Sequence, residues 1–511
     1  MKEIIYAIFL SFFLCGLCGN AEAKKKKEVK KAIKREVQTP YDKLFKGKKA
    51  FTVNGLMKMH LMAGKVYAEF PIELLNRDLA LTSSIEDISD NGEGVVGQFA
   101  GRVNQFRFTL QDSMLQARLV RRYGVKNTGM GKNADQIIER SNTPGIFQSY
   151  KILAYTPDKK AVVVDMTELF LESSRLTNPF PSYAGNSLYG FVQRIHKFQS
   201  QRSELLGICG NDNSMSVHCN LGFNVDRLVL GSFMQAKDVP VSVTVNKILM
   251  LLPEDPMRPR LADSRIGVNA IIQTELPDVC QGIKTYYITK RWRIEPVDEI
   301  RYKQGEMVDV KKPIVFYIDT LMPDSWIKYV KAGAEAWNAA FEKIGLRNVV
   351  RTELFPKDSS FDAGDIHNSV IRYAPSWMYY PQYSMHTDPR TGEILNASVY
   401  LPANVASYFY TSRTEETMAV DPSVRKARLS EEQFGEMFKA KMMQAIGRCL
   451  GLTDNYAASS VYPVDSLRSA SFTRKYGVVA SVMDDFTCNK IAQPEDVKKG
   501  VVLVQQNLGP Y

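Results

Sequence analysis

SEEQFGEMFKAKMMQAIGRCLGLTDN, residues 430–455, is the stretch from which the fold is read. Ser430 followed three residues later by Gln433 is a capping box, and Glu431 and Glu432 lie where a helix N-terminus favours negative charge. Phe434, Phe438, Met442, Ala445 and Cys449 recur at helical spacing and form one apolar stripe, while Glu432, Glu436, Lys439 and Arg448 fall elsewhere. Gly451 suits the C-terminal stop. From periodicity alone this is a core helix ending in a turn.

Working back from that helix, the pattern near Pro313 reads as strand at 314–318. A helix follows, starting at Pro323-Asp324, with a stripe of Trp326, Val330, Ala334, Trp337, Phe341 and Ile344 before Gly345. Short strands are expected at 349–354, 369–373 and 397–401, with Asp388-Pro389-Arg390-Thr391-Gly392 turning the chain between the last two. Strand, long helix, several strands and a second helix ending in glycine is the order of a zincin-type α+β domain, although periodicity leaves other α+β folds open. From Tyr41 to about Pro296 the pattern is mostly strand. Hairpins are expected around Ala63-Gly64 and around Pro157-Asp158-Lys159, with further β-rich runs at 98–110, 117–122, 241–252 and 285–294. The division is therefore a β-rich region over 41–300, with room for two subdomains, and an α+β domain over 301–511.

The 511 residues, 45% of them apolar, give ample core for two or more domains. Lys2, an apolar run from Ile4 to Leu17 and Ala21-Glu22-Ala23 have the form of a signal peptide over 1–23, which implies export to the periplasm, the cell surface or the medium. No later stretch has the length of a membrane span. The net charge is +11, but residues 1–36 carry 9 Lys and Arg against 4 Asp and Glu, so nearly half the excess sits in the signal and the basic linker, residues 24–40. The remainder carries no nucleic-acid motif, and nucleic acid is not expected as a partner. Past the signal there are five cysteines, Cys209, Cys219, Cys280, Cys449 and Cys488, of which Cys209 and Cys219 are the nearest pair in sequence and the expected disulfide. A Cys/His metal site around His218-Cys219 lacks the paired C-x-x-C spacing.

Several segments carry a likeness to a known family: GLMKMHLMAGKVYAEFP from Gly55, MRPRLADSRIG from Met257, YYITKRWRIEP from Tyr286, PIVFYID from Pro313, DPRTGEI from Asp388, SSVYPVDSLRSASFTRKYG from Ser459 and SVMDD from Ser481. Through these the chain resembles, over nearly all its length past the signal, the large secreted bacterial zinc-dependent metalloproteases of the metzincin clan. The resemblance implies a β-rich N-terminal part before a met-zincin domain, with Met483 as the Met-turn beneath the zinc site. It also implies that Ala397, Ser398, Val399, Tyr400 and Leu401 form the edge strand that pairs with substrate backbone.

In that family the site helix reads H-E-x-x-H-x-x-G-x-x-H: three histidines hold zinc and the glutamate is the general base. Here the ligand positions read Gln444, Arg448 and Asp454, the base position reads Ala445, and Gly451 is kept. The chain has only His60, His196, His218, His367 and His386, no two of them four residues apart, and His367 and His386 read as ordinary loop or strand residues. Gln is a poor zinc ligand, Arg cannot give up its proton, and Ala cannot activate water. No cofactor is therefore expected, zinc being the family's. The resemblance also implies a further C-terminal region past the point corresponding to Tyr511, so the chain reads as truncated there, either a natural short form or a broken gene. The function expected is that of a pseudoprotease, with a peptide or protein bound in the former active-site cleft. The alternatives are an active hydrolase with another centre, for which no G-x-S-x-G elbow is visible, or a β-rich module that binds a surface glycan or protein.

Overall fold

The computed structural model describes residues 38–511 apart from 121–124, 128–131, 174–177, 181–191, 231, 278–281, 359–360, 377 and 486–487. The signal-peptide reading, nearly all of the basic linker and Cys280 lie outside the described residues.

Alternating apolar residues in the N-terminal half build antiparallel sheets, because side chains two apart share a face. Lys58–Met62 and Lys65–Pro71 pair through the Ala63-Gly64 turn, both of whose residues have positive φ (51° and 70°), the conformation that matches strand twist in a two-residue hairpin. They form one sheet with Phe51–Val53, Ala154–Tyr155 and Ala161–Asp165. A larger, seven-stranded sheet follows: β1 (Leu79–Ile88), β2 (Phe99–Gln111), β3 (Met114–Leu119), β4 (Gly145–Lys151), β5 (Val192–Asn211), β6 (Ser214–Val229) and β7 (Phe233–Leu251). Its order is β5-β6-β7-β1-β2-β3-β4, and every neighbouring pair is antiparallel.

The expected disulfide is corrected here. The β5/β6 register sets Cys209 opposite Ser216 and Cys219 opposite Leu205, so the two sulfurs stand at different levels of the ladder and both thiols are free.

The C-terminal part holds a five-stranded mixed sheet of β8 (Ile314–Ile318), β9 (Val350–Leu354), β10 (Ser369–Tyr373), β11 (Gln382–Thr387) and β12 (Ile394–Leu401), in the order β9-β8-β10-β12-β11. The first four strands in this order run parallel and β11 is antiparallel to β12. The run from 397 to 401 is therefore not an edge: Ala397 to Leu401 lie between β10 and β11 and are all buried. The edge strand is β11, absent from the sequence reading because QYSMHT is short, polar and non-alternating. The Asp388–Gly392 turn joins β11 to β12.

Two helices pack on this sheet. The expected long helix is α1 (Asp324–Glu335) with a separate short turn at Asn338–Glu342, and the end of its apolar stripe, Ile344, is more than half exposed. After α2 (Val405–Thr417) comes α3 (Glu431–Cys449), the helix of the opening stretch. Its capping box is complete: Ser430 Oγ accepts from Gln433 N at 3.2 Å and Gln433 Oε1 accepts from Ser430 N at 3.0 Å. Substituting Ser430→Ala is expected to cost about 1 kcal/mol, read as a lowered urea midpoint with an unchanged slope. Met437, Phe438, Met442, Met443, Ala445, Ile446 and Cys449 are buried in a core shared with Phe316, Val330, Trp337, Val399 and Phe409. Residues 40–511 form one compact unit, tied across its two halves by contacts such as Arg390 with Asp78 (3.4 Å).

Candidate functional site

The last turns of α3 position the residues of interest. Gln444 and Arg448 stand one turn apart on the same side, with Ala445 beside them, because residues four apart on a helix are neighbours. The helix ends where the sequence indicated. Leu450 caps it, Gly451 takes φ +104°, and a Cβ there would lie 2.6 Å from the Lys290 carbonyl, so only glycine fits the turn. Trp292 Nε1 donates to the Cys449 carbonyl at 2.9 Å, satisfying one of the helix's last acceptors. Past the turn, Asn455 N donates to Met483 O at 2.9 Å, which brings Asp454 back beside the helix.

Met483 lies directly under α3. A Cβ placed on Gly447 would meet its sulfur and the Trp337 ring, so the glycine permits this approach. Trp337 Nε1 donates to Met443 O at 2.9 Å and fixes the ring there.

The polar side chains at 444, 448 and 454 are each engaged with a partner. Arg448 pairs with Asp454 at 2.7 Å and stacks over the Tyr383 ring on β11 at 5.6 Å. Gln444 is buried, its Nε2 donates to the Asp484 carbonyl at 2.9 Å, and its Oε1 accepts from Lys441 Nζ at 3.2 Å. Lys441 also reaches Asp485 at 3.1 Å and lies over the Tyr408 ring at 5.7 Å. Burial pushes the Tyr383 phenol up, an effect Arg448 partly offsets, and the Asp454 carboxylate raises that of Tyr456. Lys441, Gln444, Ala445, Arg448, Tyr456 and Asp485 line a cavity of about 290 Å³, with Tyr380 and Tyr408 at its wall.

The sequence reading named Gln444, Ala445, Arg448, Asp454 and Met483; it did not name Lys441 or the tyrosines. Lys441 sits three residues before Gln444, and that spacing was the available signal. Of the histidines, His367 is in a loop against Asp365 at 2.8 Å, and His386 is buried on β11 beside Phe99. Cys449 is fully buried, and burial raises its thiol far above the ordinary range, which removes it as a nucleophile.

Residues 426–511 match a family described as Met-zincin, and residues 97–297 match a family described as a domain of unknown function, DUF5117. The C-terminal region is metzincin-like. No curated protein and no solved structure is detectably similar to the chain. The Met-zincin match spans α3, the turn at Gly451 and Met483, so the metzincin-like region contains Gln444, Ala445, Arg448 and Asp454.

Proposed function

We propose that this chain is a pseudoprotease: a metzincin-like protein that does not hydrolyse peptides through zinc and that binds an extended peptide or protein segment in the cleft beside β11. The observation that carries the reading is the closed polar network at the motif positions. Both ends of the Gln444 amide are engaged, Arg448 is ion-paired to Asp454, and Ala445 offers no base. This donor set does not fit a zinc ion, which needs several neutral imidazole, thiolate or carboxylate ligands free to coordinate. The charge a metal would bring is supplied by the guanidinium of Arg448 and the ammonium of Lys441, each with an acidic partner.

Binding is the retained capability, because β11 offers an edge to an added strand and Tyr383 on it is 41% exposed beside the Arg448 pair. The same reading takes residues 1–23 as a cleaved export signal, which intact-mass measurement of the exported protein would test through a start at Lys24.

The decisive experiment uses fluorescein-labelled casein. With added zinc, cleavage is expected to stay at the buffer rate; cleavage abolished by a chelator would overturn the pseudoprotease. Saturable binding of a labelled casein peptide, weakened about tenfold or more by Tyr383→Ala, would support the cleft. Saturable binding unchanged by Tyr383→Ala and by Arg448→Ala would move the function to the β-rich half.

A further inference from the structure

A second cluster of metal-ligating side chains lies far from the degenerate helix. His218 on β6 faces Asn246 on β7, and Asn246 faces Ser84 on β1. Glu86 is two residues beyond Ser84, at the bulge where the β7/β1 register shifts. Since residues two apart on a strand and directly opposed residues share a sheet face, His218, Asn246, Ser84 and Glu86 gather on one side of the large sheet.

The loop between β9 and β10 closes over that face. Asn246 Nδ2 donates to Asp362 Oδ2 at 2.8 Å, Ser84 Oγ donates to the Gly364 carbonyl at 3.1 Å, and Gly364 N holds Asp362 Oδ1 at 2.7 Å. His218 Nδ1 is 2.8 Å from Glu86 Oε1. One ligand atom from each of Glu86, His218 and Asp362 lies within 4.8 Å of the other two.

One observation beyond this proximity points to a ligand. Asn246 has no exposed surface, yet its side-chain amide oxygen is buried without a hydrogen-bond partner. Buried polar atoms left open are uncommon and costly, and an amide oxygen is a metal donor.

We propose that Glu86, His218 and Asp362, with the Asn246 side-chain amide oxygen, bind one first-row divalent cation that clamps the β9–β10 loop of the metzincin-like half onto the large sheet. One imidazole among oxygen donors favours zinc or manganese over calcium or magnesium. The ion is structural, since the two halves of the chain each contribute ligands and no cleft residue takes part.

The test is a zinc titration of the metal-stripped full chain in competition with a chromophoric chelator. One equivalent is expected to bind, with affinity reduced at least tenfold by Glu86→Gln and by Asp362→Asn and within threefold of wild type for Asp454→Asn. Absence of saturable binding, or binding that Asp454→Asn weakens while the other two leave it unchanged, would overturn the site; the second outcome would put zinc at the helix and overturn the reading of that cavity as well. Should the variants fail to fold, a zinc-edge anomalous map of the wild-type protein decides: a peak among Glu86, His218 and Asp362 supports the proposal, and a map without one ends it.

Discussion

Substituting Gln444→His, Ala445→Glu, Arg448→His and Asp454→His in one chain is expected to add one tightly bound zinc per molecule beyond any bound by the wild type. The frame for it is in place: 444 and 448 are one turn apart on α3, the chain turns at Gly451, and Met483 lies beneath Gly447. A histidine at 444 would stand near the Asp484 carbonyl that now accepts from Gln444, an acceptor for its second ring nitrogen of the kind that orients metal-bound imidazoles. Zinc held by such a set contributes on the order of 10 kcal/mol, so the change is from no occupancy at this position to full occupancy at micromolar zinc. Leaving Arg448 in place should abolish the gain, because a fixed cation would then sit among the ligands. Adding Lys441→Met should strengthen it, since that ammonium is 3.2 Å from the Gln444 oxygen. Metal content measured in an Asp362→Asn background keeps the result separate from the β-sheet site; no additional equivalent there would mean that the helix does not present these positions as described.

Phe438→Ala is expected to be among the most damaging single substitutions in the α3 core, at about 3–5 kcal/mol. Phe438 has no exposed surface and sits at the middle of an aromatic group, 5.1 Å from the Trp326 ring centre and 5.6 Å from those of Phe409 and Phe434. Truncation removes transfer energy and edge-to-face contacts and leaves a cavity between α1, α2 and α3 that rigid helices cannot close. Phe434, one turn earlier and only partly buried, should cost less when changed to alanine. Chemical denaturation followed by tryptophan fluorescence checks the order; a Phe438→Ala loss below about 1 kcal/mol would contradict the packing.

The fold was legible wherever local chemistry repeats over several residues. The capping box at Ser430, the stripe from Phe434 to Cys449, the turn at Gly451, the Ala63-Gly64 hairpin and the strand at 314–318 stand where spacing placed them. β11 was not legible, because six residues with only His386 and Thr387 buried, both at one end, carry no period, and without it β12 was taken for the edge. The Cys209–Cys219 pairing failed for a related reason: nearness in sequence says nothing about ladder register.

The residue types at positions 444, 445, 448 and 454 were fixed by the sequence as well. No folding can make an alanine a base or an arginine a zinc ligand, so Ala445 and Arg448 carry their meaning without coordinates. What tertiary structure decided is which groups meet. It turned Lys441 and Tyr383 toward Gln444 and Arg448. It also brought Glu86, His218 and Asp362 within 4.8 Å, although they come from a strand, a distant strand and a loop of the other half. Spacing along the chain encodes contacts only within a helix or hairpin, while contacts between elements arise from burying their apolar faces together, and sites built on such contacts become visible only in the folded molecule.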